Sequence, residues 1–136
     1  MDIDDARQFL AANHRAVLAT VRADGRLQLS PVGVGVDGKG RAVISTRETA
    51  YKVRNLRRQP WASLCVMTDD FFGGWVQVEG TASVLSLPDA MEPLVEHYRS
   101  ILGEHPDWDD FRAAMERERR VLLRVDIERA GPTLGG

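Results

Sequence analysis

Residues 27–36 read Leu27-Gln28-Leu29-Ser30-Pro31-Val32-Gly33-Val34-Gly35-Val36, and the fold class is decided here. Alternation of apolar residues with period two is the pattern of a half-buried β-strand. Leu27 and Leu29 share one face, whereas Val32, Val34 and Val36 fall in the opposite phase. The alternation therefore slips by one residue at Ser30-Pro31, which predicts a bulge. Pro31 has no N–H to give to a central ladder, so the stretch belongs at an edge or a distortion. Bulges often re-aim side chains beside a ligand; they are equally a plain way to bend a strand.

Working outward, Asp24-Gly25 is a hairpin turn that joins this strand to the Val-, Leu- and Thr-rich residues 16–21. Asp37-Gly38-Lys39-Gly40 turns the chain into a third strand over 41–46, which completes a meander. Residues 61–68 and 75–85 are two further strands, separated by the turn-rich Asp69-Asp70-Phe71-Phe72-Gly73-Gly74, and 121–127 alternates as a sixth. Helices fit the 3.6-residue period over 2–13, capped by Asp2, and over 49–58, capped near Thr49 and ended by Pro60. Two more run from Pro88-Asp89 to Gly103 and onward from Pro106-Asp107. Residues 130–136 show no regular pattern. The whole is a mainly β chain, a small antiparallel barrel with flanking helices, in one domain spanning 1–136.

Composition narrows the function classes. With 43% hydrophobic and 28% charged residues the chain is globular in type, and no apolar stretch is long enough to span a bilayer. The acidic start, Asp2, Asp4 and Asp5, does not read as a signal peptide, which makes the cytoplasm the expected location. A net charge of −2 gives no general attraction to nucleic acid. The single Cys65 lies in an apolar run, and His14, His97 and His105 stand at no metal-ligand spacing.

No nucleophile elbow, Cys–His pair or nucleotide phosphate loop is present, so no side chain is expected to be the reactive group. A chain without its own reactive group but with an anion-binding cluster fits a bound cofactor. The cluster runs from Ser45 to Arg58. Hydroxyls at a strand end, free N–H groups at the start of the next helix and Lys52 one turn in suit a phosphate monoester. On periodicity alone Arg54, Arg57 and Arg58 are just as well a solvated basic face.

Taken together, Gly25 to Val32, Ile44-Ser45-Thr46, Lys52 to Pro60, Val78 to Ala82, Tyr98-Arg99 and His105 to Trp108 resemble the pyridoxamine 5′-phosphate oxidase-like superfamily of split β-barrels, and within it the deazaflavin-dependent branch. The resemblance covers nearly the whole chain. It implies an FMN-binding-like split barrel and an oxidoreductase that passes a hydride between coenzyme F420 and a small organic molecule. FMN binding on the same fold, or a non-catalytic deazaflavin carrier or sensor, are the alternatives. It further implies that Gln28, Ser30, Pro31 and Val32 line the ring, Ser45 and Thr46 the ribityl chain, and Thr49 and Lys52 the phosphate. Ala50 stands where relatives can carry an arginine, which leaves the charge for the cofactor's tail to Arg47, Arg54 or Arg58. Such proteins are generally homodimers with the cofactor at the interface, so Trp75 and Gln77, two apart on one strand face, would approach it from the partner chain. Taken alone, Trp75 is equally an ordinary interface or core aromatic. Residues 130–136 lack the basic and aromatic segment expected of a pyridoxamine phosphate oxidase proper.

Overall fold

The computed structural model describes residues 1–133. Seven strands form one antiparallel sheet: β1 (Arg15–Val21), β2 (Leu27–Gly33), β3 (Gly35–Val36), β4 (Ala42–Arg47), β5 (Trp61–Met67), β6 (Trp75–Leu85) and β7 (Arg120–Thr133). Their order is β2-β1-β5-β6-β7-β4-β3. Four helices accompany them: α1 (Ile3–Ala12), α2 (Tyr51–Arg58), α3 (Met91–Leu102) and α4 (Trp108–Arg117). None of these helices is long and apolar enough to cross a membrane.

Chain connectivity forces the sheet to roll up. β2 and β3 stand at opposite ends of the strand order, which in a flat sheet would separate them by about 29 Å at ~4.8 Å per strand. Only Val34 lies between them in sequence. One residue spans at most about 7 Å between its neighbours, so the two edges must meet. Rolling is eased by β7, whose pairing with β6 shifts register between Val76 and Val78 and again between Glu79 and Gly80. Extra residues on one strand bend it and increase its twist.

The barrel interior holds Leu18, Val34, Ile44, Leu64, Val66, Val76, Val78 and Leu123, all almost fully buried. Ala6 and Leu10 of α1 close one end of it, and Val53 and Leu56 of α2 close the other. A second core lies outside the barrel wall, where Val43 and Leu122 meet Leu94 and Val95 of α3 and Phe111 and Met115 of α4. Tyr98, Trp108 and Phe111 meet edge-on at the junction of α3 and α4, His105 packs against them at a tilt, and Arg99 lies 4.9 Å over the Trp108 ring. The sequence landmarks at 98–99 and 105–108 are thus a helix–helix clasp.

Several expectations change. There is no bulge at Ser30-Pro31: β2 pairs with β1 without interruption, from Val21 opposite Leu27 to Arg15 opposite Gly33. The break comes at Val34, where the strand passes from one sheet edge to the other. Leu27 and Leu29 keep their alternation but point outward, 54% and 62% exposed. The apparent slip arose because β2 is apolar on different faces along its length. Pro31 does sit on an edge strand, opposite Val17. The helix after β4 begins at Tyr51 with Ala50 as its N-cap, so Thr49 lies in the preceding turn. α3 starts at Met91, which leaves Pro88 in the turn before it. Residues 130–133 are strand, because the shifts in β7 accommodate Gly131-Pro132, while 134–136 lie outside the described residues.

Candidate functional site

Strand alternation distributes the expected ligand-binding residues over three neighbourhoods. Gln28, Ser30 and Val32 share the inward face of β2, which approaches β4 without pairing to it. Between β2 and α2 opens a cleft of about 370 Å³, lined by Arg22, Ala23, Gln28, Tyr51, Arg54, Asn55 and Arg58. Tyr51, Arg54, Asn55 and Arg58 recur at helical spacing, so one side of α2 forms the wall. The Arg54 guanidinium stacks over the Tyr51 ring at 5.3 Å.

A relay of polar groups, buried at Asn55 and Thr20, sets the floor of this cleft. Arg58 Nη2 donates to Asn55 Oδ1 at 2.9 Å and to the Val21 carbonyl at 3.0 Å. Asn55 Nδ2 donates to Thr20 Oγ1 at 3.1 Å, and Thr20 Oγ1 donates to Gln28 Oε1 at 3.4 Å. Asn55 and Thr20 are almost inaccessible, so their bonds are strongly specified. Sequence reading passed over Thr20 and Asn55 as site members; a polar amide between the buried Val53 and Leu56 was the available signal. Farther along β2 the Ser30 hydroxyl is buried and has no hydrogen-bond partner. Such an orphan asks for an acceptor or donor from outside the chain.

The expected phosphate residues are only partly gathered. Thr46 points into the barrel with Ile44, whereas Ser45 points the other way, toward Leu94, Tyr98 and Arg120. Lys52 and Arg54 are about 200° apart around α2 at 100° per residue, so they serve different sides. Lys52 is half-buried, and burial together with the neighbouring Arg120 holds its ammonium below the ordinary lysine range. Arg120 is itself paired with Glu118 at 2.8 Å, but no carboxylate among the described residues pairs with Lys52. The start of α2 has the same character. Asp2 caps α1 and Asp107 caps α4, each with acids in the first turn, whereas α2 has Ala50 at its cap, no side-chain cap bond and no acid in that turn. A helix N-terminus left open beside an unpaired ammonium favours an external anion.

Pro31, Trp75 and Gln77 occupy the outer face of β2-β1-β5-β6. Register aligns Pro31, Val17, Cys65 and Gln77 in one row, and Gly33, Arg15, Met67 and Trp75 in the next. Gln77 Nε2 donates to Ser63 Oγ at 2.8 Å. Burial pushes the Cys65 thiol up, away from the reactive thiolate. Trp75, Cys65 and Met67 wall a hollow of about 360 Å³ under the exposed Phe71 and Phe72 of the β5–β6 hairpin. No helix covers this face, and Pro31 is separated by it from Gln28 and Ser30.

The signature of the pyridoxamine 5′-phosphate oxidase family matches residues 3–133. An F420H(2)-dependent biliverdin reductase of Mycobacterium tuberculosis is 32% identical over 127 residues, covering 93% of this chain and 84% of the relative. Among solved structures, a conserved hypothetical protein of Mycobacterium tuberculosis superposes with a TM-score of 0.77 at 24% identity, over 96% of this chain and 82% of that one. A structure described as an F420 reductase superposes with a TM-score of 0.70 at 20% identity, over 92% and 94% of the two chains.

Proposed function

The chain belongs to the pyridoxamine 5′-phosphate oxidase family, and from that membership and the geometry around α2 we propose that it is an oxidoreductase that uses coenzyme F420 to reduce a small organic acceptor. The observation that carries the reading is the unpaired, half-buried Lys52 ammonium at the open start of α2. A phosphate monoester supplies the charge that this locality lacks. The cofactor's ring is assigned to the inward face of β2, where the Ser30 hydroxyl lacks a partner and Gln28 is held through Thr20, Asn55 and Arg58. Arg54 and Arg58 give the β2–α2 cleft its positive wall for an acidic tail. The relative named for F420H(2)-dependent biliverdin reduction supports the deazaflavin over FMN.

When bound in its reduced form, the deazaflavin supplies the hydride. The protein's own work is to bind, orient and exclude water. Lys52 anchors, Gln28 and Ser30 fix the ring edge by hydrogen bonds, and Val32 packs behind them. The outer face with Pro31, Trp75 and Gln77 is assigned to a second copy of the chain in a homodimer, which completes the shelter.

Fluorescence titration of the protein with oxidised F420, and in parallel with FMN, tests the reading, followed by oxidation of reduced F420 with biliverdin as the first acceptor. Selective F420 binding, lost in Lys52→Ala, is expected. Selective FMN binding would transfer the assignment to the flavin, and binding of neither would overturn it.

A further inference from the structure

A further cavity lies elsewhere in the chain. About 470 Å³ opens between the β3–β4 hairpin, β7 and α3, lined by Val36, Lys39, Val43, Leu122 and Arg124 with Pro93 and His97 above. It shares no lining residue with the β2–α2 cleft.

Arg124 is the anomaly. It stands on β7 opposite Val43 and Ser83, on the outer wall that α3 covers. Its Nε is buried without a partner, and no carboxylate or carbonyl among the described residues accepts from its guanidinium. Burying part of a cation without a counter-charge costs free energy that a leucine at the same place would not incur. Two acids, Asp37 and Glu96, also line the cavity, but each is already paired. Asp37 accepts from Arg41 Nε at 2.7 Å and from the Lys39 and Arg41 backbone N–H groups, and Glu96 is held by Arg99 at 2.7 Å. His97 adds no positive charge: burial and the nearby His14 push it down to about 4. Two cations, Arg124 and Lys39, thus face an apolar floor of Val36, Val43 and Leu122 without counter-ions.

We propose that this cavity is a second ligand site, which takes a small organic carboxylate whose oxygens bind the Arg124 guanidinium, with Lys39 at the rim and an apolar body on Val36, Val43 and Leu122. The two Nη groups of a guanidinium present N–H bonds in the geometry of a bidentate carboxylate bond. The volume lies in the ordinary range for small-molecule pockets. Nothing in this site depends on the deazaflavin reading.

The test is calorimetric titration of the cofactor-free protein with 4-phenylbutyrate and with 4-phenylbutanol, which lacks the charge, while the methyl resonances of Val36, Val43 and Leu122 are followed by NMR. Saturable binding of the acid that shifts these methyls is expected, with the alcohol at least about tenfold weaker, since a charge-assisted bond is worth that much. Arg124→Leu removes the binding and melts no lower than the wild type. Should that variant fail to fold, Lys39→Ala on the exposed turn weakens the acid several-fold. Lys52→Ala leaves the binding unchanged, which separates this site from the cofactor reading. Absence of saturable binding, equal binding of acid and alcohol, or undiminished binding in Arg124→Leu or Lys39→Ala overturns the proposal.

Discussion

Burial decides what His97 does. Its Nδ1 has no partner and lies where a side chain at Gly35 would have to fit, and the ring titrates near 4 instead of 6.5. A base whose folded pKa is depressed binds fewer protons than the unfolded chain does, so stability rises with pH. The contribution is whole above about 6.5 and is lost as pH falls through about 4, a difference of about 3 kcal/mol. Urea unfolding at pH 7.5 and 4.0 measures it: the His97→Gln variant loses less stability on acidification than the wild type by about that amount. Lys52 obeys the opposite sign. Its ammonium is lowered toward neutrality, so affinity for a phosphate-bearing cofactor falls as pH rises through a value below the ordinary 10.5. Titrating F420 at pH 7 and pH 10 reads this, and Lys52→Ala, already weak, shows a flatter profile. Lys52 was legible in the sequence as one of only two lysines, placed one turn into an expected helix. Arg120, which shapes its titration, was not, because it reaches the site from 68 residues downstream by strand pairing that periodicity does not encode.

At the scale of elements, β7 governs closure, and its sequence reads misleadingly. Gly131-Pro132 looks like a chain break, since proline cannot donate to a ladder. The strand nevertheless continues to Thr133, because its register shifts absorb residues that have no partner on β6. Gly80 sits at one of these shifts, and a Cβ there would land on the Asp126 carbonyl oxygen. Gly80→Ala forces β6 and β7 apart and is expected to destabilise the fold by about 3 kcal/mol in urea unfolding, the upper end for overpacking. The other elements were legible wherever one periodicity acted alone: α1 with its Asp2 cap, the start of α4 after Pro106-Asp107, β5 and β6 all stand within a residue or two of expectation. Reading failed where two demands share one strand. On β2 the inner face serves the barrel through Val32 while the outer face carries Leu27 and Leu29, and the sum resembles a bulge.

For the whole molecule, the question is why one side of the barrel has no cover. α3 and α4 lie over β4 and β7, but the outer face of β2-β1-β5-β6 exposes Leu27 and Leu29, with Val17, Ala19, Cys65 and Met67 half-buried beside them and Phe71 and Phe72 at the rim. Contiguous exposed apolar surface of this kind marks an interaction site. Leu29, Ala19 and Ser63 form one row across three strands, and a patch that includes such a row can meet its own copy across a twofold axis. The expected result in light scattering after gel filtration is a mass twice that of the chain. Leu29→Glu places a charge at the exposed β2 end of the row and is expected to give a folded monomer, its circular dichroism unchanged because the side chain is 62% exposed. If Trp75 and Gln77 reach the cofactor of the other copy, that monomer also loses F420 affinity although Lys52, Gln28 and Ser30 are untouched. A monomer that still binds F420 at full strength would confine the site to one chain and leave Trp75 and Gln77 as interface residues alone.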